Sequence, residues 1–240
     1  MNPVLNFKKK YTKIYYLLLA YFVYLLYYPV NIFTSGAGKF TLNFIWLDDL
    51  IPFVPAFQIW YIFIFLFPFF AVFYIRDDRY IELTAKVIMF QYLAGYVIFL
   101  LYPVKMIRPD VEPDSFIRWM IYVNHLVDQP YNCFPSLHMA CSLSIALVIF
   151  RLNKKHSIIP FIVAGLIGLS IVYVKAHTVF DGLAGILLSI LSYILFIKPY
   201  RFEKHESQYH RSPAVFLWVF LIYGFIMLGS YILYRLGAFI

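Results

Sequence analysis

An all-α, polytopic membrane helix bundle is the fold class this sequence predicts, and three observations predict it. Of its 240 residues, 63% are hydrophobic and only 13% are charged, half the roughly 25% that a soluble domain carries to cover its surface. Seven apolar runs recur along the chain, most of them close to the roughly 20 residues that a spanning helix needs. Lys and Arg are sorted onto alternate connections between the runs, as membrane orientation requires. Together these exclude a soluble globular protein, a disordered chain and a secreted disulfide scaffold. They leave no room for a second folded domain, so residues 1–240 read as a single integral membrane domain.

The first run, near 14–34, has spanning length and lacks a small-residue cleavage site, so it reads as a span and not as a cleaved signal peptide. The stretch 36–56, with Asp48, Asp49, Pro52 and Pro55 among aromatics, is too broken to span and too apolar for a free loop; it reads as an interfacial segment. Runs near 57–75 and 83–104 follow, joined by Arg76-Asp77-Asp78-Arg79, which reads as a solvated turn. The segment 110–132, with Glu112, Asp114, Arg118, His125 and Asp128, reads as a lid on the outer face. After it comes a short run near 136–150 that starts beside Pro135. Runs near 157–174 and 178–197 almost touch across Lys175-Ala176-His177, as a tight hairpin does. A polar stretch with His205 and His210 precedes the last run, near 215–239, an expected seventh span beyond a six-span core.

Fourteen of the twenty Lys and Arg fall on the connections that share a side with the N-terminus. That asymmetry places the N-terminus in the cytoplasm and, with seven spans, the C-terminus outside. It also accounts for the net charge of +8 without a nucleic-acid partner, and no protein partner can be inferred. Cys133 and Cys141 have no metal-ligand spacing and make no disulfide framework.

The informative residues are polar ones on the outer side, at the mouths of the third to sixth runs. Three clusters gather there: Lys105 to Pro109, Pro135-Ser136-Leu137-His138, and Lys175 to Asp181. Ionisable groups near membrane helix ends are expensive unless they reach the surface or work inside the bundle. Lys105 and Arg108 are long enough to snorkel. His177 and Asp181, four residues apart, share a helix face, so the carboxylate is placed to accept from one ring nitrogen and leave the other lone pair free for attack. A buried polar pair that merely joins two helices has the same spacing. His138 is expected in the first turn of the fourth span, after a proline at the first helical position, where free amides and the Ser136 hydroxyl suit a phosphate oxygen; an interfacial histidine bonded to a loop carbonyl is the plainer reading. Two histidines, three cations and a helix start on one surface describe a pocket for a tetrahedral anion. Zinc is the rival ligand of His138, His177 and Asp181, but Lys105, Arg108 and Lys175 would repel a divalent cation.

In order and spacing these residues resemble the type 2 phosphatidic acid phosphatase superfamily, whose signatures are Lys-x6-Arg-Pro, Pro-Ser-Gly-His and Ser-Arg-x5-His-x3-Asp. Arg108-Pro109 matches the end of the first, Pro135 to His138 the second, and Ser170 to Asp181 the third. Three positions depart: the lysine stands at Lys105 where the family position is Leu101, Leu137 replaces the glycine, and Ile171 replaces the arginine, with a cation at Lys175 instead. Phe-Pro-Ser-Leu-His followed by Lys-x-His-x3-Asp is more similar to the branch that contains inositol phosphorylceramide synthases.

The resemblance implies a six-span core over about 83–197 and a lipid phosphate phosphatase that needs no metal or other cofactor. It implies His177 as the nucleophile that becomes phosphohistidine, Asp181 as its orienting carboxylate and His138 as general acid. Lys105, Arg108, Ser136 and Lys175 would bind the substrate phosphate. The substrate would be a phosphorylated membrane lipid, met on the extracytoplasmic face. A head-group transferase, with an alcohol in place of water, is the alternative, and a non-enzymatic anion-binding membrane protein is the third.

Overall fold

The computed structural model describes residues 3–35, 40, 45–201 and 210–239. Lys39, Lys204 and His205 lie outside the described residues, as does most of the stretch 36–44.

Proline placement explains the breaks at the start of the chain. Helices α1 (Pro3–Leu25) and α2 (Tyr27–Ser35) form one apolar passage, Ile14–Ser35. It is interrupted at Leu26 because Pro29 has no N–H for the Leu25 carbonyl and its ring crowds that oxygen. After the short α3 (Ile45–Asp49), α4 (Gln58–Phe63) and α5 (Pro68–Tyr74) form a pair bent by 40°; Pro68 disturbs the Ile64 carbonyl in the same way.

Helix α6 (Asp78–Leu101) has 24 residues, about 36 Å at 1.5 Å per residue. It begins five residues before the apolar run because Asp77 is its N-cap, accepting the Arg79 amide at 2.9 Å. Arg76 to Arg79 is therefore a helix start and not simply a turn. The outer segment read as a lid contains a further helix, α7 (Phe116–Val127), which turns Trp119, Met120 and Ile121 inward.

Helices α8 (Leu137–Leu152) and α9 (Ile158–Tyr173) have 16 residues each, about 24 Å. Their tight connection is set by Asn153, whose Oδ1 accepts the amides of Lys155 and His156, both at 3.1 Å. Helix α10 (Val179–Ser192) runs into a π turn at Tyr193–Ile197, and α11 (Ala214–Arg235) follows Pro213.

Among the described residues, four passages are long and apolar enough to cross a membrane: Ile14–Ser35, Asp78–Leu101, Val179–Ile197 and Ala214–Arg235. The bent pair α4–α5 is a fifth if counted as one, and α8 and α9 are shorter apolar helices. Each of the seven runs is thus a helix or a broken helix, in an all-α membrane bundle.

Helix α8 lies at the centre, packed by α6, α9 and α10, with α1 against α6 and α11 against α5. One half of the core is apolar throughout, with Phe63, Phe67, Phe70, Ile145, Ile149, Ile167 and Phe216 in contact. Midway along α6 and α8, Gln91 donates to Ser144 at 2.6 Å and to Ser192 of α10 at 3.1 Å, while Ser144 and Ser189 are 2.9 Å apart. Such interhelical bonds contribute about 0.6 kcal/mol each in membrane proteins, and here they fix the rotation of the two helices that carry the polar clusters.

Candidate active site

Two helix starts place the polar residues, and local sequence sets both. Ser136 is the N-cap of α8, its hydroxyl accepting the Met139 amide at 3.5 Å. Pro135 therefore precedes the cap and is not the first helical residue; Leu137 is, and His138 falls in the first turn. Thr178 caps α10 in a reciprocal box: its hydroxyl accepts the Asp181 amide at 3.2 Å, and Asp181 Oδ2 accepts the Thr178 amide at 2.8 Å. Between α9 and α10 the chain reverses at Lys175, whose φ of 56° lies in the left-handed region.

The two starts are laced together. The Ser136 amide donates to the Asp181 carbonyl at 2.9 Å. At Gly185 the helices approach so closely that an added Cβ would lie 2.5 Å from the Ser136 carbonyl oxygen and 3.0 Å from Met139 Cβ.

This packing brings His177 and His138 together. His177 Nδ1 lies 2.9 Å from the carbonyl oxygen of Cys133. A carbonyl only accepts, so Nδ1 carries the proton and Nε2 the lone pair. Nε2 faces His138 Nδ1 at 3.3 Å. Asp181 Oδ2 is 3.6 Å from His177 Nδ1, beyond hydrogen-bond reach. The tautomer is thus set by the Cys133 carbonyl, with the fully buried Asp181 behind it, whereas the four-residue spacing alone assigns that task to Asp181. On its other side, the His138 ring stacks on Tyr61 of α4, centroids 4.6 Å apart and planes inclined by 28°.

The expected phosphate-binding residues go to different places. Arg108 is largely buried and donates through Nη1 to the Asp128 carbonyl at 2.5 Å and through Nη2 to its Oδ2 at 2.9 Å. The other carboxylate oxygen of Asp128 accepts from Tyr27 Oη of α2 at 2.5 Å. Lys105 is exposed, its ammonium 5.6 Å from the centroid of the Tyr131 ring. Lys175 donates to the carbonyls of Asp48 at 2.7 Å and Ile51 at 2.6 Å, holding the outer segment. Ser136 is fully buried in its capping role, and Ile171 is a core residue. Asp48, in the outer interfacial segment, is bound to the start of α10: its Oδ1 accepts the Val179 amide at 2.9 Å. Burial outweighs that amide and the Lys175 charge and holds its carboxyl above the usual range. His125 of α7 is pushed down to about 4 by burial, reinforced by the Arg108 cation.

A cavity of about 610 Å³ leads to the histidines. Its walls are mostly apolar, from α1, α4, α5 and α6, and its polar end holds Asn124, Asp128, Asn132, His138 and His177. Tyr21, Phe65 and Phe69, which also line it, are 58, 48 and 42% exposed, so the mouth opens sideways between α1 and the α4–α5 pair. No Lys or Arg among the described residues lines it. Nor do three His, Cys, Asp or Glu among the described residues gather as a metal-holding group.

Sequence reasoning did not find Cys133, Tyr61, Tyr27 or Asn132. The Cys133 contribution is a backbone atom, and Tyr61 is one of 22 tyrosines. No curated protein and no solved structure matches the chain. The family model of the PAP2 superfamily matches residues 84–206, just over half of the chain. That region holds both histidines, Asp181, Ser136, Arg108 and Lys175, and the helix starts that position them. The chain belongs to the PAP2 superfamily.

Proposed function

We propose that this protein is a lipid phosphate phosphatase that works through a phosphohistidine at the extracytoplasmic face. The observation that carries the reading is the His177–His138 pair, 3.3 Å apart at the polar end of an apolar cavity with a lateral mouth. Membership of the PAP2 superfamily supports phosphatase or phosphoryl-transfer chemistry in general.

His177 Nε2 attacks phosphorus, and the bond from phosphorus to the leaving oxygen breaks as His138 gives that oxygen a proton. Water, losing a proton to His138, then attacks the phosphohistidine; the P–N bond breaks and His177 is restored. The positive charge that the modified ring acquires is met at Nδ1–H by the Cys133 carbonyl and, behind it, by Asp181. Of the proposed phosphate-binding set, Arg108 is held near the cavity by Asp128, whereas Lys105, Ser136 and Lys175 would have to leave their present partners to reach a phosphate.

The cavity favours a lipid over a water-soluble ester. Its lining follows α6 from Ile81 to Phe99, about 27 Å at 1.5 Å per residue, close to the roughly 30 Å of a bilayer's hydrocarbon core. The sorting of Lys and Arg supports seven crossings with a cytoplasmic N-terminus.

Head-group transfer is the second reading, and one observation favours it. The cavity is lined by the Asp128 carboxylate and by no Lys or Arg among the described residues. A phosphate monoester carries about −1.5 to −2 at pH 7, whereas a diester carries a single negative charge, which suits such a cavity better.

The test is phosphate release from a panel of lipid monophosphates and diphosphates, in detergent with EDTA, by wild type and His177→Ala. Release that survives EDTA and vanishes in the variant supports the hydrolytic reading. No release from any substrate, but a new phospholipid product when diacylglycerol or ceramide is added, replaces hydrolysis with transfer.

A further inference from the structure

The polar end of the cavity contains one buried donor that the mechanism above leaves unused. Asn132 is 5% exposed, lines the cavity with His138 and His177, and its Nδ2 has no hydrogen-bond partner among the described residues. Its place relative to the chemistry is fixed by sequence adjacency. The next residue, Cys133, gives its carbonyl oxygen to His177 Nδ1 at 2.9 Å, so Asn132 stands one residue from the atom that orients the nucleophile.

Its amide is also held in one direction. The Thr34 hydroxyl, itself 1% exposed, lies 2.7 Å from Asn132 Oδ1 and 3.1 Å from the Asn31 carbonyl; its one proton goes to the nearer acceptor, Asn132 Oδ1, and occupies the oxygen side. Thr34 belongs to α2, and α2 is clamped to the same loop one turn earlier. Asn31 Nδ2 donates to the Gln129 carbonyl at 2.8 Å, and the Gln129 amide donates back to Asn31 Oδ1 at 3.0 Å. With the oxygen anchored, the nitrogen and its protons face away from Thr34. A buried donor without a partner is costly in a folded protein, and a substrate oxygen would remove that cost.

The charge inventory points the same way. Ile171 is packed in the core, Lys175 is engaged by two backbone carbonyls, and Arg108 is paired with Asp128. Charge that develops on a reacting phosphoryl group is stabilised by donors fixed in advance, and a neutral side-chain amide can be one of them. We propose that Asn132 Nδ2 donates to an equatorial oxygen of the substrate's phosphoryl group, and that Thr34 is the positioning residue that turns it there. This rests on the phosphoryl-transfer reading of His177 and His138. It assigns a part of the site to α2, which precedes the region matched by the family.

Two readouts test it on the full chain in detergent: the affinity for orthovanadate, followed by 51V NMR, and phosphate release from dioctanoyl phosphatidic acid. Asn132→Asp keeps the oxygen that Thr34 engages and replaces the donor by a second oxygen. It should bind orthovanadate at least about tenfold more weakly and turn over about 100-fold more slowly, the size of effect seen on removing one preorganised donor, with KM little changed. Thr34→Val, which keeps the amide but frees it to rotate, should lose about tenfold in turnover; it decides the matter if Asn132→Asp does not fold. Asn132→Asp with wild-type vanadate affinity and turnover overturns the proposal, even where His177→Ala is inactive and the phosphohistidine reading stands. Wild type that binds orthovanadate without releasing phosphate overturns the hydrolytic reading instead, and the vanadate affinities then decide Asn132. Wild type that binds no orthovanadate overturns both.

Discussion

Tyr61 lies against the face of His138 with ring centroids 4.6 Å apart, so a residue of the fourth helix, outside the family match, orients the proposed general acid. An aromatic face also attracts an imidazolium, by about 0.5–2 kcal/mol. Tyr61→Phe, which keeps the face, should stay within about twofold of wild-type phosphate release, whereas Tyr61→Leu should lose about tenfold, as loss of that stabilisation implies. Equal activity of the two variants in a release assay would remove Tyr61 from the account.

The contact of Gly185 with the Ser136 carbonyl makes a second prediction. In Gly185→Ala the new Cβ meets backbone, at 2.5 Å, which cannot swing aside as a side chain can. The helix starts must separate, costing ~1–3 kcal/mol and misplacing His138 relative to His177 by enough to cost about 100-fold in turnover. A melting curve and a release assay check both. A variant with unchanged melting temperature and rate would mean that the two helix starts do not control the histidine pair.

Proton bookkeeping at the pair predicts a bell-shaped pH profile. Attack needs His177 Nε2 bare, while leaving-group protonation needs His138 charged, so release should fall on both sides of an optimum. The profile is to be measured with one lipid substrate across pH 4–10; a flat profile between pH 5 and 9 would sink the assignment of roles.

His125 supplies a pH dependence of stability separate from catalysis. The imidazole titrates near 6.5 in an unfolded chain and near 4 in the fold. Between those values the unfolded chain holds the extra proton, so stability is complete above about pH 6.5 and declines as pH drops toward 4. His125→Gln, which cannot take up the proton, should lose less melting temperature than wild type between pH 7 and 4.5. Parallel losses would show that another group governs this window.

Much of the bundle could be read from the sequence because the bilayer enforces it: each apolar run is a helix or a helix broken at a proline. Positions set by tertiary contact were harder to read. Helix α7 has 12 residues and no spanning-length run, and α6 starts early because one side chain, Asp77, caps it. The convergence of His138 with the His177–Asp181 segment was legible, since polar residues at membrane helix ends have few alternatives. The destinations of the cations were not. Lys105, Arg108 and Lys175 are long side chains whose partners, Tyr131, Asp128 and the carbonyls of Asp48 and Ile51, depend on how distant segments meet. The oxygen that sets the His177 tautomer belongs to the backbone of Cys133 and leaves no mark in the residue types.

The sideways mouth between α1 and the α4–α5 pair changes what concentration means for this protein. With α1 and the α4–α5 pair crossing the bilayer as proposed, a molecule that reaches His177 through Tyr21, Phe65 and Phe69 would come from the plane of the membrane, and its supply would be counted per unit of surface. Half-saturation would then track the mole fraction of substrate among the surrounding amphiphiles. Adding inert detergent at constant bulk substrate would slow the reaction by two-dimensional dilution, with no change in the site itself.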